Sequence, residues 1–216
     1  MSDEQELTLA RERMVNDQLI PRGVKDERVL HAMTIIPRHN FLPSSSWSLA
    51  YSDHPVSIGF GQTISQPYIV AWMSELLAHL PKGSKILEIG TGCGYQTAIL
   101  VALGYEVYSI ERIASLSRMA EKNLRQIDYL PTGLYVSDGR VGHLPNAPYD
   151  AIISAACARK IPRDWINQLI EGGLIITPIG KRGKQHLVRC IKRGRKIVKE
   201  DMGLVRFVPL LSGNIE

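Results

Sequence analysis

The sequence is poor in several things that would narrow its class quickly. No apolar run approaches the roughly 18–20 residues that a membrane-spanning helix needs. There are three cysteines and no C-x-x-C pair, which argues against a disulfide scaffold or a structural zinc site. The six histidines are scattered without H-x-x-x-H spacing, so no metal centre is expected. Aromatic residues make up only 6% of the chain. Trp47, Trp72 and Trp165 show no alternation with basic residues, so they read as packing, not as a base-stacking platform. Internal repeats and low-complexity linkers are lacking too. The opening MSDEQELTLARERM is polar and acidic, unlike the basic-then-apolar start of a secretory signal. These absences point to a cytoplasmic globular protein without membrane association.

What remains is ordinary in bulk and uneven in detail. With 216 residues, 44% apolar and 22% charged, the chain is expected to form one domain over 1–216 with a sizeable core. The net charge of +5 suggests nucleic acid at first sight. Between Gly172 and Lys199, however, lie nine Lys/Arg and no Asp or Glu, leaving 17 basic and 21 acidic residues elsewhere. The basicity is local.

Residues 1–62 read as helical and irregular. Ser2-Asp3-Glu4-Gln5 is a good helix start, with Leu7, Ala10, Met14 and Leu19 roughly on one face. A short helix from Asp26 to about Met33 follows, and Arg38 to Gln62, with Pro43, Pro55, Gly59 and Gly61, reads as a long loop. From 63 to 180 strands and helices alternate. A helix runs from Ser65 towards Leu80, then come strand Lys85–Ile89, helix Tyr95–Leu103, strand Glu106–Ile110 and helix Ala114–Gln126. Strands at Leu134–Val136, Tyr149–Ser154 and Leu174–Pro178 follow, with a helix from Arg163 to Ile170. Near-continuously apolar strands alternating with helices indicate a mostly parallel, doubly wound α/β sheet. From 181 to 216, His186–Ile191 and Lys196–Val198 suggest an antiparallel hairpin around Lys192-Arg193-Gly194-Arg195-Lys196, with a last strand near Val205–Val208.

The chemistry begins at Leu87-Glu88-Ile89-Gly90-Thr91-Gly92-Cys93-Gly94-Tyr95-Gln96, where a strand enters three alternating glycines and then a helix. Glycine permits the tight turn and close approach of a ligand to backbone N–H groups. This is G-x-G-x-G, not the G-x-G-x-x-G of pyrophosphate sites. The carboxylate of Glu88 would repel a pyrophosphate but suits an ammonium-bearing ligand such as S-adenosylmethionine. Glu111 closes the next strand 21 residues after Gly90, where a carboxylate can take ribose hydroxyls. Asp138-Gly139 follows the third strand, where adenine would lie. The plainer alternative is a generic α/β loop with solvated acids at strand ends.

These residues, with others, carry a resemblance. Met14-Val15-x-x-Gln18-Leu19-x-x-Arg22-Gly23, Pro37-Arg38-His39-x-Phe41, Gly61-Gln62-Thr63-Ile64-Ser65-Gln66-Pro67, Glu88–Gln96, Ile110-Glu111-Arg112-Ile113, Ser137-Asp138-Gly139, Gln168-Leu169-x-x-Gly172-Gly173 and Phe207-Val208-Pro209-Leu210 resemble the protein-L-isoaspartate (D-aspartate) O-methyltransferases over essentially the whole chain. The glycine loop is shared widely; the GQTISQP stretch is much more specific. The resemblance implies a Rossmann-like methyltransferase fold. It also implies methyl transfer from S-adenosylmethionine to the free carboxylate of L-isoaspartyl, or D-aspartyl, residues in aged proteins and peptides. The ester then closes to a succinimide, which starts repair. It implies Ser65 as the residue beside the reacting carboxylate, and Thr63, Ile64, Glu88, Gly90, Thr91, Gly92, Cys93, Glu111, Arg112, Asp138 and Gly139 around the cofactor. A carboxylate with an ordinary pKa near 4 is already nucleophilic at neutral pH, so positioning is the main task. That accounts for the lack of a Ser-His-Asp set or metal ligands.

Ser65 has a second reading, as the N-cap of the following helix. Ser57 stands where the family usually has proline, which is expected to loosen the substrate loop. Cys93 replaces a more usual serine, Ser137 a usual glycine, and Ser154-Ala155-Ala156-Cys157 a V-T-A-A pattern whose small residues are kept. Cys93 and Cys157 follow strands expected to be neighbours, but two buried thiols are the better reading than a redox pair. A monomer is expected. The alternatives are a carboxyl methyltransferase for one dedicated peptide and a nucleic-acid-binding protein with a vestigial cofactor fold. The basic hairpin is read as a solvated edge that discourages aggregation.

Overall fold

The computed structural model describes residues 3–216; Ser2 of the anticipated helix start lies outside them. Helix α1 spans Asp3–Arg13, passes into a π-helical turn over Met14–Leu19 and stops in a 3-10 turn at Ile20–Arg22. Met14 and Leu19 are fully buried, so the apolar spacing marks the face that seats this segment. Helix α2, Glu27–Ile35, is capped by Asp26, whose Oδ1 accepts the N–H groups of Arg28 and Val29, the usual way to satisfy orphan donors at a helix start.

The stretch Arg38–Gln62 is not a featureless loop. It contains 3-10 turns at Arg38–Phe41 and Ser44–Leu49 and then a hairpin, β1 (Val56–Gly59) with β2 (Gln62–Ile64). β1 alternates buried Val56 and Ile58 with exposed Ser57 and Gly59, but strands of four and three residues are too short for that pattern to stand out in the sequence. Ser57 pairs with Thr63 across the hairpin, and its hydroxyl accepts the Gly59 N–H at a long 3.4 Å. Helix α3 is Pro67–Glu75, shorter than the apolar spacing suggested, because turns replace it before Leu80.

Seven strands form the main sheet. They are β3 (Lys85–Ile89), β4 (Glu106–Glu111), β5 (Gly133–Val136), β6 (Tyr149–Ser154), β7 (Leu169–Lys181), β8 (Lys184–Arg193) and β9 (Lys196–Val205), in the spatial order β5-β4-β3-β6-β7-β8-β9. The first five are parallel; β8 and β9 are antiparallel additions. Helices α4 (Tyr95–Ala102) and α5 (Ala114–Gln126) make the early crossovers, and α6 is only Arg163–Asn167. Of the residues expected as helix, Gln168 is the C-cap of α6, and Leu169 and Ile170 begin β7. The separate strand near Val205–Val208 does not form: β9 continues to Val205, and the residues after it leave the sheet.

Alternation along β3 divides the core. Ile86 faces the α3–α4–α5 side, together with the N-terminal helices; Leu87 and Ile89 face the other side, where Trp165 is fully buried. The basic run of the sequence lies on the β7–β8–β9 edge. Its acids come from just outside it: Glu200 pairs with Arg189 at 2.7 Å, Asp201 with His186 at 2.8 Å, and Glu171 accepts the Gly194 N–H. Among the described residues no helix is long and apolar enough to cross a membrane.

Trp165 Nε1 donates to the Gly139 carbonyl at 2.8 Å, tying α6 to the turn after β5. Trp165→Phe keeps most of the apolar surface but leaves that buried acceptor unpaired. Urea unfolding is expected to show a loss of about 1–3 kcal/mol; an unchanged midpoint would mean the bond contributes nothing to the fold.

Candidate active site

The chain leaves β3 in both directions, to β4 on one side and later to β6 on the other. A crevice therefore opens beyond the C-terminal ends of these strands, the usual ligand position in such sheets. Two adjoining clefts lie there and share Thr63, Gly90, Gly92 and Ala155, so that together they form one trough.

The first cleft is built around Glu88, which occupies β3 on the α4 side of the sheet and is 1% exposed. Its Oε2 accepts hydrogen bonds from Thr97 Oγ1 of α4 and Ser109 Oγ of β4, both at 2.6 Å. Since Ser109 gives its proton to Glu88, Thr91 Oγ1 is the donor in their 2.6 Å contact. Oε1 of Glu88 is buried and has no partner among the described residues. Burial pushes this carboxyl up to about 7, against the pull of the two hydroxyls, with the nearby Glu111 adding to the rise.

The glycine loop runs past this acid. Gly90 adopts φ +91° and sits against Ala155, whose Cβ lies 3.6 Å from the point a side chain at Gly90 would occupy. The small residue following β6 thus preserves the close approach. Cys93 is buried and its thiol is pushed up to about 11 by burial, so it is a poor nucleophile. Cys157 is buried too, and its thiol is likewise raised. The strands preceding them, β3 and β6, are neighbours as expected. The two thiols pack, and at Cys93 burial outweighs the opposing pull of the Tyr95 N–H and Arg38.

Thr63, Ile64 and Ser65 reach the same cleft from β2 and the turn after it. Ser65 is not a helix cap: the N-cap position is Gln66, without a side-chain cap bond, and Pro67 opens α3. The Gln66 side chain instead donates to the Asp53 carbonyl at 3.1 Å, which anchors the turn and leaves the Ser65 hydroxyl without a partner among the described residues.

In the second cleft Glu111, at the end of β4, accepts Gly92 N–H through Oε2 at 2.9 Å and Ile113 N–H through Oε1 at 3.0 Å. Each oxygen keeps a lone pair for a ligand hydroxyl. Arg112 lines this cleft while donating to the carbonyls of Gly213 and Ser212. Gly139 also lines it, but Asp138 does not. The Asp138 carboxylate is held by Arg140 at 2.8 Å and by the Gly213 N–H at 2.9 Å; the Arg140 guanidinium keeps it well below the ordinary range, at about 2. The sequence points this acid towards the cofactor; in the structure its oxygens hold Arg140 and the Gly213 N–H of the C-terminal segment.

That segment is the part of the site that the sequence did not assign. After β9 the chain crosses the C-terminal edge of the sheet, with Phe207 on the first cleft and Val208–Leu211 on the second. Cys157 N–H donates to Val208 O at 2.7 Å and Leu210 N–H to Cys157 O at 2.8 Å, while the Gln185 side chain clamps both backbone groups of Phe207. The signal was only a familiar apolar string with no chemically distinctive residue. No cluster of potential metal ligands occurs among the described residues.

A parallel sheet, a glycine loop after β3, acids on β3 and at the end of β4 and a cleft across the switch point define the Rossmann-like fold of methyltransferases. The sequence profile of the protein-L-isoaspartate(D-aspartate) O-methyltransferases matches residues 10–215, and the chain belongs to that family. Among curated proteins, protein-L-isoaspartate O-methyltransferases from Picosynechococcus sp. and Dictyoglomus thermophilum are 46% and 48% identical, covering 93% and 87% of this chain and 89% and 85% of their own. A solved protein-L-isoaspartate O-methyltransferase superposes with a TM-score of 0.85 at 30% identity, over 95% of this chain and 67% of its own. A crystal structure from Plasmodium falciparum, in complex with S-adenosyl-L-homocysteine, shares the fold (TM-score 0.80, 24% identity, 93% and 98% coverage).

The burial of Glu88 has a sign that can be measured. Between the ordinary value of 4.5 and about 7, the folded chain keeps a proton that the unfolded chain has released. This stability contribution is therefore greatest below 4.5, is lost as pH rises to about 7 and is flat above, in total about 3 kcal/mol. Glu88→Gln should flatten that part of the stability–pH curve and be the more stable protein at about pH 8. Parallel curves for the two proteins would contradict the burial argument.

Proposed function

We propose that this chain transfers a methyl group from S-adenosylmethionine to the free carboxylate of L-isoaspartyl residues in damaged proteins and peptides, as the family's name describes. The observation that carries the reading is the pairing, in one trough, of a buried Glu88 oxygen and a Ser65 hydroxyl that both lack a partner among the described residues. A buried acceptor left unpaired costs roughly 1–3 kcal/mol, and a ligand ammonium would relieve it.

The residues present fit the cofactor. Glu88 would hold its ammonium group, Glu111 its ribose hydroxyls and the glycine loop its close-lying backbone, with Thr63, Ile64, Cys93, Arg112 and Gly139 completing the walls. Asp138 contributes by fixing the C-terminal segment over the cleft. When bound, S-adenosylmethionine supplies a methyl group on a sulfonium, already a good leaving group. The protein's remaining tasks are to orient the substrate carboxylate and exclude water. Ser65 orients the carboxylate by donating a hydrogen bond, and the apolar segment from Phe207 to Leu211 keeps the trough dry. No general base is required, because the substrate carboxylate is ionised at neutral pH. We place this activity in the cytoplasm, on a monomer, with aged proteins and peptides as partners; acceptance of D-aspartyl residues belongs to the same proposal.

The test is base-labile methyl incorporation into an isoaspartyl peptide, with the matched aspartyl peptide as control. Incorporation only into the former is expected, and Ser65→Ala should lower kcat by about tenfold or more. No incorporation overturns the proposed function; full activity in Ser65→Ala removes this residue from the site.

A further inference from the structure

Phe60 sits where physical chemistry alone would not put a phenylalanine. The chain has only three. Phe41 is buried in the core and Phe207 lines the first cleft, but Phe60 is 59% exposed at the tip of the β1–β2 hairpin. Its backbone is left-handed, φ +55°, between Gly59 and Gly61, which are also at positive φ. A bulky side chain in this region is strained, and glycine would hold the same turn without that cost. A side chain added to either neighbouring glycine would meet nothing within 4 Å, so the tip stands in open space. The residue forgoes both burial and backbone ease, a combination that accumulates at binding sites.

The hairpin is also aimed and held. Ile58 of β1 is buried, and its Cδ1 lies 3.5 Å from the point a side chain at Gly92 would occupy, so the hairpin rests on the glycine loop. Gln62, which lines the second cleft, donates from Nε2 to the Phe60 carbonyl at 3.2 Å. Strand β2, which carries Thr63 and Ile64, then runs directly into Ser65. From Phe60 to Ser65 is five residues, at most about 16 Å of extended chain.

We propose that Phe60 is a specificity-determining residue that packs against an apolar side chain of the substrate, two to four positions from the isoaspartyl residue. The inference rests on the proposed function and adds to it a preference for apolar flanking sequence. Such segments are buried in intact proteins and exposed in damaged ones, and a fixed aromatic ring binds them at little entropic cost.

The experiment compares two isoaspartyl peptides, one with leucine or phenylalanine at the flanking positions and one with glycine there, on the parent protein, Phe60→Asn and Phe60→Trp. Asparagine tolerates the left-handed backbone, so the fold is retained and Tm should not fall. The expected result is a KM about three- to tenfold higher for the apolar-flanked peptide in Phe60→Asn, a much smaller change for the glycine-flanked one, and restoration in Phe60→Trp. An unchanged ratio between the peptides in Phe60→Asn overturns this inference alone. Failure of the parent protein to methylate either peptide overturns the proposed function, and this inference with it.

Discussion

The buried carboxylate of Glu88 is the interaction on which the site depends. It joins three elements at once: β3, which carries it, β4 through Ser109 and α4 through Thr97. The register that places Glu88 beside Ser109 is the register of the parallel sheet itself. Sheet formation and site formation are therefore one event. A fully apolar residue at this position would give a more comfortable core, so the sequence accepts a cost here that a ligand can offset.

Around this acid the trough is assembled from segments far apart in the chain. The turn after β2, the glycine loop, the end of β4, Gly139, the residues after β6 and the crossing segment from Phe207 all meet at one edge of the sheet. Parallel strands make this possible, because every one of them ends on the same side. The C-terminal segment closes the arrangement through backbone hydrogen bonds to Cys157 and side-chain bonds from Gln185, Arg112 and Asp138. Two residues named for the ligand by the sequence thus serve the wall: Arg112 while lining the cleft, Asp138 from outside it.

The parallel strands were legible because residues such as Lys85–Ile89 and Tyr149–Ser154 are apolar on both faces, and the glycine loop because its turn tolerates little else. Glu88 and Glu111 stood out as acids at strand ends, whereas Ser65 was named only through the resemblance carried by the GQTISQP stretch. The β1–β2 hairpin was hidden by its short strands and glycines. Strand β9 was read as two pieces because Lys199-Glu200-Asp201 interrupts its apolar pattern, as befits an edge strand that faces water and pairs Glu200 with Arg189. Sequence could not tell that Asp138 also pairs with Arg140 and with the Gly213 N–H of the C-terminal segment. The bridging C-terminal segment was unassigned because its contribution is apolar surface and backbone.

The central claim is that burial raises the Glu88 carboxyl and that a bound ammonium lowers it again. Calorimetric titration with S-adenosyl-L-homocysteine, in buffers of different ionisation enthalpy, counts the protons that binding releases. At about pH 6 the account predicts close to one proton released by the parent protein, falling towards none above about pH 8, and none from this source in Glu88→Gln. Equal proton release by the two proteins at both pH values would contradict it.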